Sequence, residues 1–486
     1  MKNKHILYLI MMPTIMMLGT SCYKDYLSPT PTTSISDASA FSTSDRVVSQ
    51  VRSLYASLRS GQFYGGRYQI YNDVRGEDFI NEQTNGVTAL EVWNFSVGNS
   101  NSQVQNLWSQ AYYVINLCNV FLDGMTAKGN AVVGTALAAN YNAEAKFIRA
   151  LSYYSLLQLY ARPYWDGNGS KPGLPLRLVG NTGSGDYSLA RSTVAEVYTQ
   201  ILADLNAAEA ALPLTYSTAT DNTTRAHRNT VIALKTRVYL SMQQYANVIT
   251  EANKIVSSTA PYTATTGVAH ALQADITNVF KTPYTTTESI FSMPFNVNET
   301  PGTQNQLGYY YSVSAITTGA NGEYSLNNAG IIADPGWKAT DKRRSFIYTA
   351  TSGKKYIGYK YVQPSPFTDW APVIRYSEVL LNLAEARVRS TNTVDAQAVA
   401  LLNAVRQRSD ATTTLAPATV ADFLTAIATE RRIEFLGEGL RSPDIMRLGA
   451  TFPAKSSVQA YAPSAKEYVW PISSSELLLN KLCTNN

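Results

Sequence analysis

The sequence predicts a mainly α protein in which helical hairpins form one scaffold and a large irregular insertion interrupts it. Three observations carry this: apolar residues recur at helical spacing over several long segments, two segments have the shape of paired short helices, and residues 259–372 turn to Thr, Tyr, Gly, Asn and Pro. With 486 residues, 45% hydrophobic and 15% charged, the chain has the composition of a folded protein with a large core.

The elements follow in order. Lys2 and Lys4, an apolar run over 6–18 and the small residues Gly19, Thr20 and Ser21 before Cys22 read as an export leader spanning 1–21. About 13 apolar positions would rise only ~20 Å, short of a ~30 Å hydrocarbon core, so a membrane-spanning helix is the poorer reading. Leu18-Gly-Thr-Ser-Cys22 resembles a bacterial lipobox, which makes Cys22 the expected lipidation site and the start of the mature chain. Residues 22–44 contain a Ser/Thr/Pro-rich stretch without helical period and read as a tether. The remainder, 45–486, is expected to be a single domain.

Val47, Val48, Val51, Leu54, Tyr55 and Leu58 predict a first amphipathic helix over 45–60, which Gly61 ends. A Gly/Tyr/Asn-rich stretch to about residue 102 is expected to lack helix. Helical pattern then dominates, over 104–125, 135–161 and 193–212 and in two helices between 229 and 256. The 193–212 segment is the clearest: Val194, Val197, Tyr198, Ile201, Leu202 and Leu205 form a stripe, Thr193 with Glu196 forms a capping box, and Pro213 stops the helix. Residues 233–256, with Tyr245 and Ala246 at the turn, and 377–408 look like tetratricopeptide helix pairs, irregularly spaced rather than a tandem array. Within the insertion, 289–295 and 356–362 are expected as short strands. Its length without helix points to function.

Charge and rare residues exclude several classes. Removing Lys2 and Lys4 from 40 basic side chains leaves 38 against 35 acidic ones, a net of +3 without a Lys/Arg cluster, which is no nucleic-acid footprint. Of the three histidines, His5 lies in the leader, so His227 and His270 are too few for a Ser-His-Asp, Cys-His or multi-histidine metal site. No cofactor or metal is expected. Glu430, Glu434 and Glu438, four apart beside Arg431, Arg432 and Arg441, read as a salt-bridged helix end rather than a catalytic pair. Cys118 falls on a stripe with Val114, Leu117, Phe121 and Leu122 and reads as a core thiol rather than half of a bridge to Cys483.

Seven segments carry a family resemblance in order: Asp25-Tyr-Leu-Ser-Pro-Thr-Pro; Ala143-Glu-Ala-Lys-Phe-Ile-Arg-Ala-Leu; Arg191-Ser-Thr-Val-Ala-Glu-Val-Tyr; Ala233-Leu-Lys-Thr-Arg-Val-Tyr-Leu; Arg375-Tyr-Ser-Glu-Val-Leu-Leu-Asn-Leu-Ala-Glu-Ala; Leu402-Asn-Ala-Val-Arg-Gln-Arg; and Glu430-Arg-Arg-Ile-Glu-Phe-Leu-Gly-Glu-Gly-Leu-Arg. Trp470-Pro-Ile with Glu476 and Asn480 closes the set. Together they resemble the SusD/RagB family over nearly the whole mature chain. The resemblance implies a SusD-like helical scaffold with a variable loop region, display on the outer membrane facing the cell exterior, and a SusC-like TonB-dependent transporter as partner. The implied role is non-catalytic capture of an oligosaccharide, or of an oligopeptide as RagB-like members do. A surface glycosidase, drawing on Asp73, Glu77, Asp78 or Glu82, is the contrasting reading.

With 32 Tyr against 14 Phe, the chain is rich in rings that keep a polar tip, which suits partly wet binding surfaces. Sugar rings present C–H faces to aromatics and hydroxyl pairs to Asn, Asp, Gln or Arg. The expected ligand-binding residues are therefore the loop groups Trp93, Asn94, Asp73, Arg75, Tyr309, Tyr311 and Trp337. Trp93 and Trp337 lead, because the family often places stacking aromatics in those two regions.

Overall fold

The computed structural model describes residues 39–486; the leader, Cys22 and most of the tether lie outside the described residues. The chain enters through α1 (Ser44–Leu58), whose Val47, Val51, Leu54 and Leu58 are buried at helical spacing. Next comes α2 (Arg67–Val74), in the stretch expected to lack helix. All eight of its residues are buried, so it has no polar face and no periodicity to read.

In the scaffold, helices close in sequence pack on one another. Helix α3 (Ser102–Gly124) buries Val104, Leu107, Ala111, Val114, Ile115, Cys118 and Phe121, and packs on α4 (Thr135–Tyr160). Helix α5 (Val194–Ala211) has the capping box of Thr193 and Glu196 and lies along α4. There Arg149 of α4 grips Asp204 through Nε and Nη2 at 2.8 and 2.7 Å. Helices α6 (Arg228–Ser241) and α7 (Tyr245–Ala252) form the next hairpin, and α8 (Tyr376–Thr391) and α9 (Ala396–Ser409) another. Both sit where the sequence placed helix pairs. Finally α10 (Val420–Glu434), α11 (Arg441–Arg447) and the short α12 (Ser474–Leu479) complete the scaffold. The fold is mainly α, and one apolar core runs from Phe41 to Cys483.

Strands serve as ties. Strand β1 (Phe79–Asn81) pairs antiparallel with β3 (Tyr324–Leu326), and β2 (Ser289–Met293) pairs antiparallel with β4 (Ala371–Arg375). The β2–β4 pair fastens the two ends of the insertion together, with Ser289 opposite Arg375. The second expected strand is cut to Lys355–Tyr356, and β4 was hidden by Pro372, which reads as a strand breaker but faces Ser292 across an irregular register.

Beneath the insertion lies a buried ion network. Arg375 reaches Glu288 at 2.6 Å, Glu434 at 2.8 Å and Glu438 at 2.7 Å. Arg343 reaches Asp341, Glu430 and Glu434, and Arg408 bridges Glu288 and Glu434. The three glutamates at four-residue spacing are thus structural, as expected, but their partners differ. Arg431 instead pairs with Asp444, while Arg432 and Arg441 pair with Glu77. Glu430 and Glu434 share one side of α10, which meets the insertion, and Glu438 follows in the turn past the helix end.

Candidate ligand-binding face

The structure turns five of the seven expected ligand residues inward. Trp93 is 7% exposed and its indole N–H donates to the Phe79 carbonyl at 2.8 Å, with the Lys455 ammonium 5.5 Å over its ring. Trp337 is 3% exposed, and the Arg344 guanidinium lies 4.2 Å over its ring. Asp73 accepts from the Tyr311 hydroxyl at 3.2 Å and the Gly439 amide at 2.9 Å; burial pushes its pKa up to about 8. Arg75 donates to the Tyr468 carbonyl at 2.7 Å and lies 4.5 Å over the Phe452 ring. Burial lowers its pKa to about 9. Tyr311 stacks on Phe79 at 5.0 Å. The expectation that these five side chains line an open groove is corrected: Asp73 lies on the fully buried α2, Arg75 just past its end, and Trp93, Tyr311 and Trp337 on short helical turns or loops that pack inward, which gives a loop aromatic a core role.

Asn94 and Tyr309 remain partly exposed. The Asn94 Oδ1 accepts from the Ser96 amide and hydroxyl at 3.1 and 2.6 Å. The Tyr309 hydroxyl accepts from Gln304 Nε2 at 3.2 Å, and its ring meets Phe367 edge-on at 6.0 Å. A neighbouring pair went unnoticed in the sequence: Trp370, also partly exposed, stacks on Tyr284 at 5.5 Å and 20°. Tyr284 donates to Asp369 at 3.0 Å, and the Gln363 amide donates to the other carboxylate oxygen at 2.8 Å. Burial raises the Asp369 carboxyl to about 6. Segments 282–284, 304–309 and 363–370 are thus joined by ring contacts and hydrogen bonds, with Tyr309 and Trp370 left partly exposed over buried Phe367 and Tyr284. The signal available was the run Phe367-Thr-Asp-Trp370, aromatic residues flanking an acid at the insertion's end.

Other features matter for chemistry. A groove of about 510 Å³ opens beside α1, lined by Arg52, Tyr55, Arg59, Tyr141, Asp221 and Arg225 among others. Its arginines are largely engaged, Arg59 with Glu299 at 2.6 Å and Arg225 with Glu144 at 2.7 Å. The four carboxylates that a glycosidase would draw on are held as well. Asp73 is buried, Glu77 and Asp78 pair with Arg432 at 2.9 and 2.6 Å, and Glu82 pairs with Lys354. His227 and His270 stack on each other in the interior at 5.4 Å.

The architecture is a helical-hairpin scaffold bearing a tied insertion, with partly exposed rings on its outer loops and the four glycosidase-candidate carboxylates buried or paired. The chain belongs to the SusD family: residues 230–486 match the model described as "SusD family", and residues 25–240 match one described as "Starch-binding associating with outer membrane". SusD-like protein P2 of Formosa agariphila is 26% identical over 544 residues, covering 100% of this chain and 99% of its own. A crystal structure of a SusD superfamily protein from Bacteroides fragilis shares 32% identity with a TM-score of 0.80, over 91% of this chain and 99% of that one. Surface glycan-binding protein A from Bacteroides thetaiotaomicron, solved with laminarihexaose, has a TM-score of 0.72 at 18% identity, over 90% and 98% of the two chains.

Proposed function

We propose that this protein is a non-catalytic cell-surface lipoprotein that captures oligosaccharide and delivers it to a SusC-like TonB-dependent transporter. The observation that carries the reading is the pair of partly exposed rings, Tyr309 beside Gln304 and against Phe367, and Trp370 stacked on Tyr284, whose hydroxyl Asp369 holds in place. Such mixed surfaces suit sugars, whose C–H faces stack and whose hydroxyl pairs both donate and accept. Family membership supports the surface role, and the laminarihexaose complex of a structural relative supports the ligand class. Asn94 and Tyr309 remain as contacts from the sequence reading, now joined by Trp370.

Anchoring through Cys22 completes the proposal, with residues 22–44 as tether and 45–486 as one domain. Cys22→Ala should release a folded protein from the membrane fraction; continued lipid labelling of that variant would overturn the anchor. For the cargo, a panel of glycans and peptides is titrated calorimetrically into residues 23–486. Stacking worth ~0.5–1.5 kcal/mol per ring predicts that Tyr309→Ala and Trp370→Ala each weaken glycan binding roughly two- to twelve-fold. Unchanged affinity in both would move the site to the groove beside α1. Cleavage of the sugar during titration would sink the non-catalytic reading.

A further inference from the structure

The groove of about 510 Å³ beside α1 shares no residue with the ring pair of Tyr309 and Trp370, and its walls come from separate parts of the chain. Along α1, Ser49, Arg52, Ser53 and Ala56 recur at the spacing that gathers residues on one side of a helix. Small side chains therefore flank Arg52 and leave room above it. Tyr141 of α4, the short helix Ala219–Thr224 and the end of β2 at Met293 and Pro294 close the other sides.

The charges here do not cancel. Arg59 is taken by Glu299 at 2.6 Å. Arg225 holds both oxygens of buried Glu144 at 2.7 and 3.1 Å and lies 4.5 Å over the Tyr216 ring. Asp221 accepts from the Thr218 hydroxyl at 2.8 Å at the cap of its own short helix. That leaves Arg52, exposed and with no ion-pair or hydrogen-bond partner among the described residues. The Tyr141 hydroxyl is also without a hydrogen-bond partner among them, although the residue is only 8% exposed. The hydroxyls of Ser49, Ser53 and Thr224 each donate to a backbone carbonyl of their own helix, at 2.8, 2.7 and 2.8 Å. A hydroxyl has one proton to give, so toward the groove these three only accept.

We infer that this groove is a second sugar site and that it takes a uronic acid unit, whose carboxylate meets Arg52 and Tyr141 while its ring hydroxyls donate to the serines of α1. The inference rests on the proposed oligosaccharide role and adds a separate site for an acidic sugar. The chemistry of the walls selects the class. An uncompensated guanidinium recognises a carboxylate through two parallel N–H···O bonds. Hydroxyls that only accept ask the ligand for donors, and a sugar carries several on one small ring. A peptide C-terminus brings the same carboxylate, but its donors are spaced along a backbone instead of clustered. The volume is that of a small-molecule site, enough for a short oligosaccharide.

The test titrates trimers of galacturonate, glucuronate, mannuronate and guluronate, with neutral galactose and glucose trimers beside them, into the full mature chain kept soluble with detergent. At least one uronate trimer should bind. Arg52→Gln should weaken it roughly tenfold or more and Tyr141→Phe roughly two- to twelve-fold. Arg52→Lys, which keeps the charge without the two-pronged geometry, should fall between. Lys466→Gln, which removes a cation that is 91% exposed elsewhere on the surface, should leave uronate affinity unchanged, and Arg52→Gln should leave neutral-sugar affinity unchanged. If no uronate trimer binds, or if Arg52→Gln binds it as well as wild type does, the inference is overturned, and neutral-glycan binding that is lost in Tyr309→Ala and Trp370→Ala keeps the proposed function standing. Binding of a peptide C-terminus but of no uronate, weakened by Arg52→Gln, would overturn the sugar assignment. A chain that binds neither acidic nor neutral sugars would overturn both.

Discussion

The helical scaffold and the insertion are held by different physics. In the scaffold, stripes at helical spacing bury apolar side chains against neighbouring helices, and the buried charges are mostly paired helix to helix, as Arg149 with Asp204, Arg237 with Glu378 and Arg447 with Glu385. The insertion has little helix and is secured from below by Glu288, Asp341, Arg343 and Lys360 meeting Arg375, Arg408, Glu430, Glu434 and Glu438. Apolar burial is non-directional, whereas a satisfied ionic network demands specific partners. The difference teaches how a segment with little helix can be held in one place: its base is fixed by directional contacts, while its outer turns carry few of them.

Removing the hub of that network should have the largest effect. Arg375→Met leaves Glu288, Glu434 and Glu438 buried without their shared cation, and breaking a buried pair costs about 3–5 kcal/mol. The expected outcome is a large fall in the urea midpoint or no soluble protein. Arg59→Ala, which removes an exposed pair with Glu299, should cost at most about 1 kcal/mol. Equal effects would erase the contrast between the network and surface charge.

Next comes the loop aromatic that behaves as core. Trp93→Phe frees the Phe79 carbonyl and should lower stability by about 1–3 kcal/mol, measured by denaturant titration, with glycan affinity retained. A variant that keeps its stability and loses the ligand would return Trp93 to the binding face.

A third prediction sharpens the comparison through pH. Burial lowers the pKa of His227 to about 3 and of His270 to about 4; His270 stacks on Tyr376 at 6.1 Å and its Nδ1 meets the Thr287 carbonyl at 3.0 Å. The folded chain holds both rings neutral, while the unfolded chain takes up protons near pH 6.5. Their contribution is therefore complete above pH 6.5 and is lost as pH falls toward 4. His270→Gln should flatten the fall in melting temperature across that window, and an unchanged slope would contradict it.

The smallest effects belong to the outer turns. Tyr309→Ala and Trp370→Ala should shift stability by no more than about 1 kcal/mol while weakening glycan binding, read from paired melts and titrations. A large loss of stability would show that these rings are part of the base.

The scaffold was legible because its signals are local. The capping box at Thr193, the stripe through Cys118 and the two hairpins at 228–252 and 376–409 depend on residues within a turn or two of each other. Helix α2 was invisible for the opposite reason, being buried on every side. The binding face was read only in part. Sequence locates Trp93, Trp337 and Tyr311 on irregular segments, but their burial is set by Phe79, Arg344 and Lys455, up to several hundred positions away. Trp370 was missed because its exposure depends on stacking over Tyr284 across the insertion.

Phe41 has a mechanical meaning. Its ring lies against Phe121 where α3 runs into the wider turn Met125–Gly129; a side chain at Gly124 would collide with it, and one at Gly129 would collide with Met125. Phe41 precedes the first residue of α1 by three positions, so this socket clamps the entrance of α1 to the far end of α3. Emptying that socket would loosen the clamp without touching the loops that carry Tyr309 and Trp370.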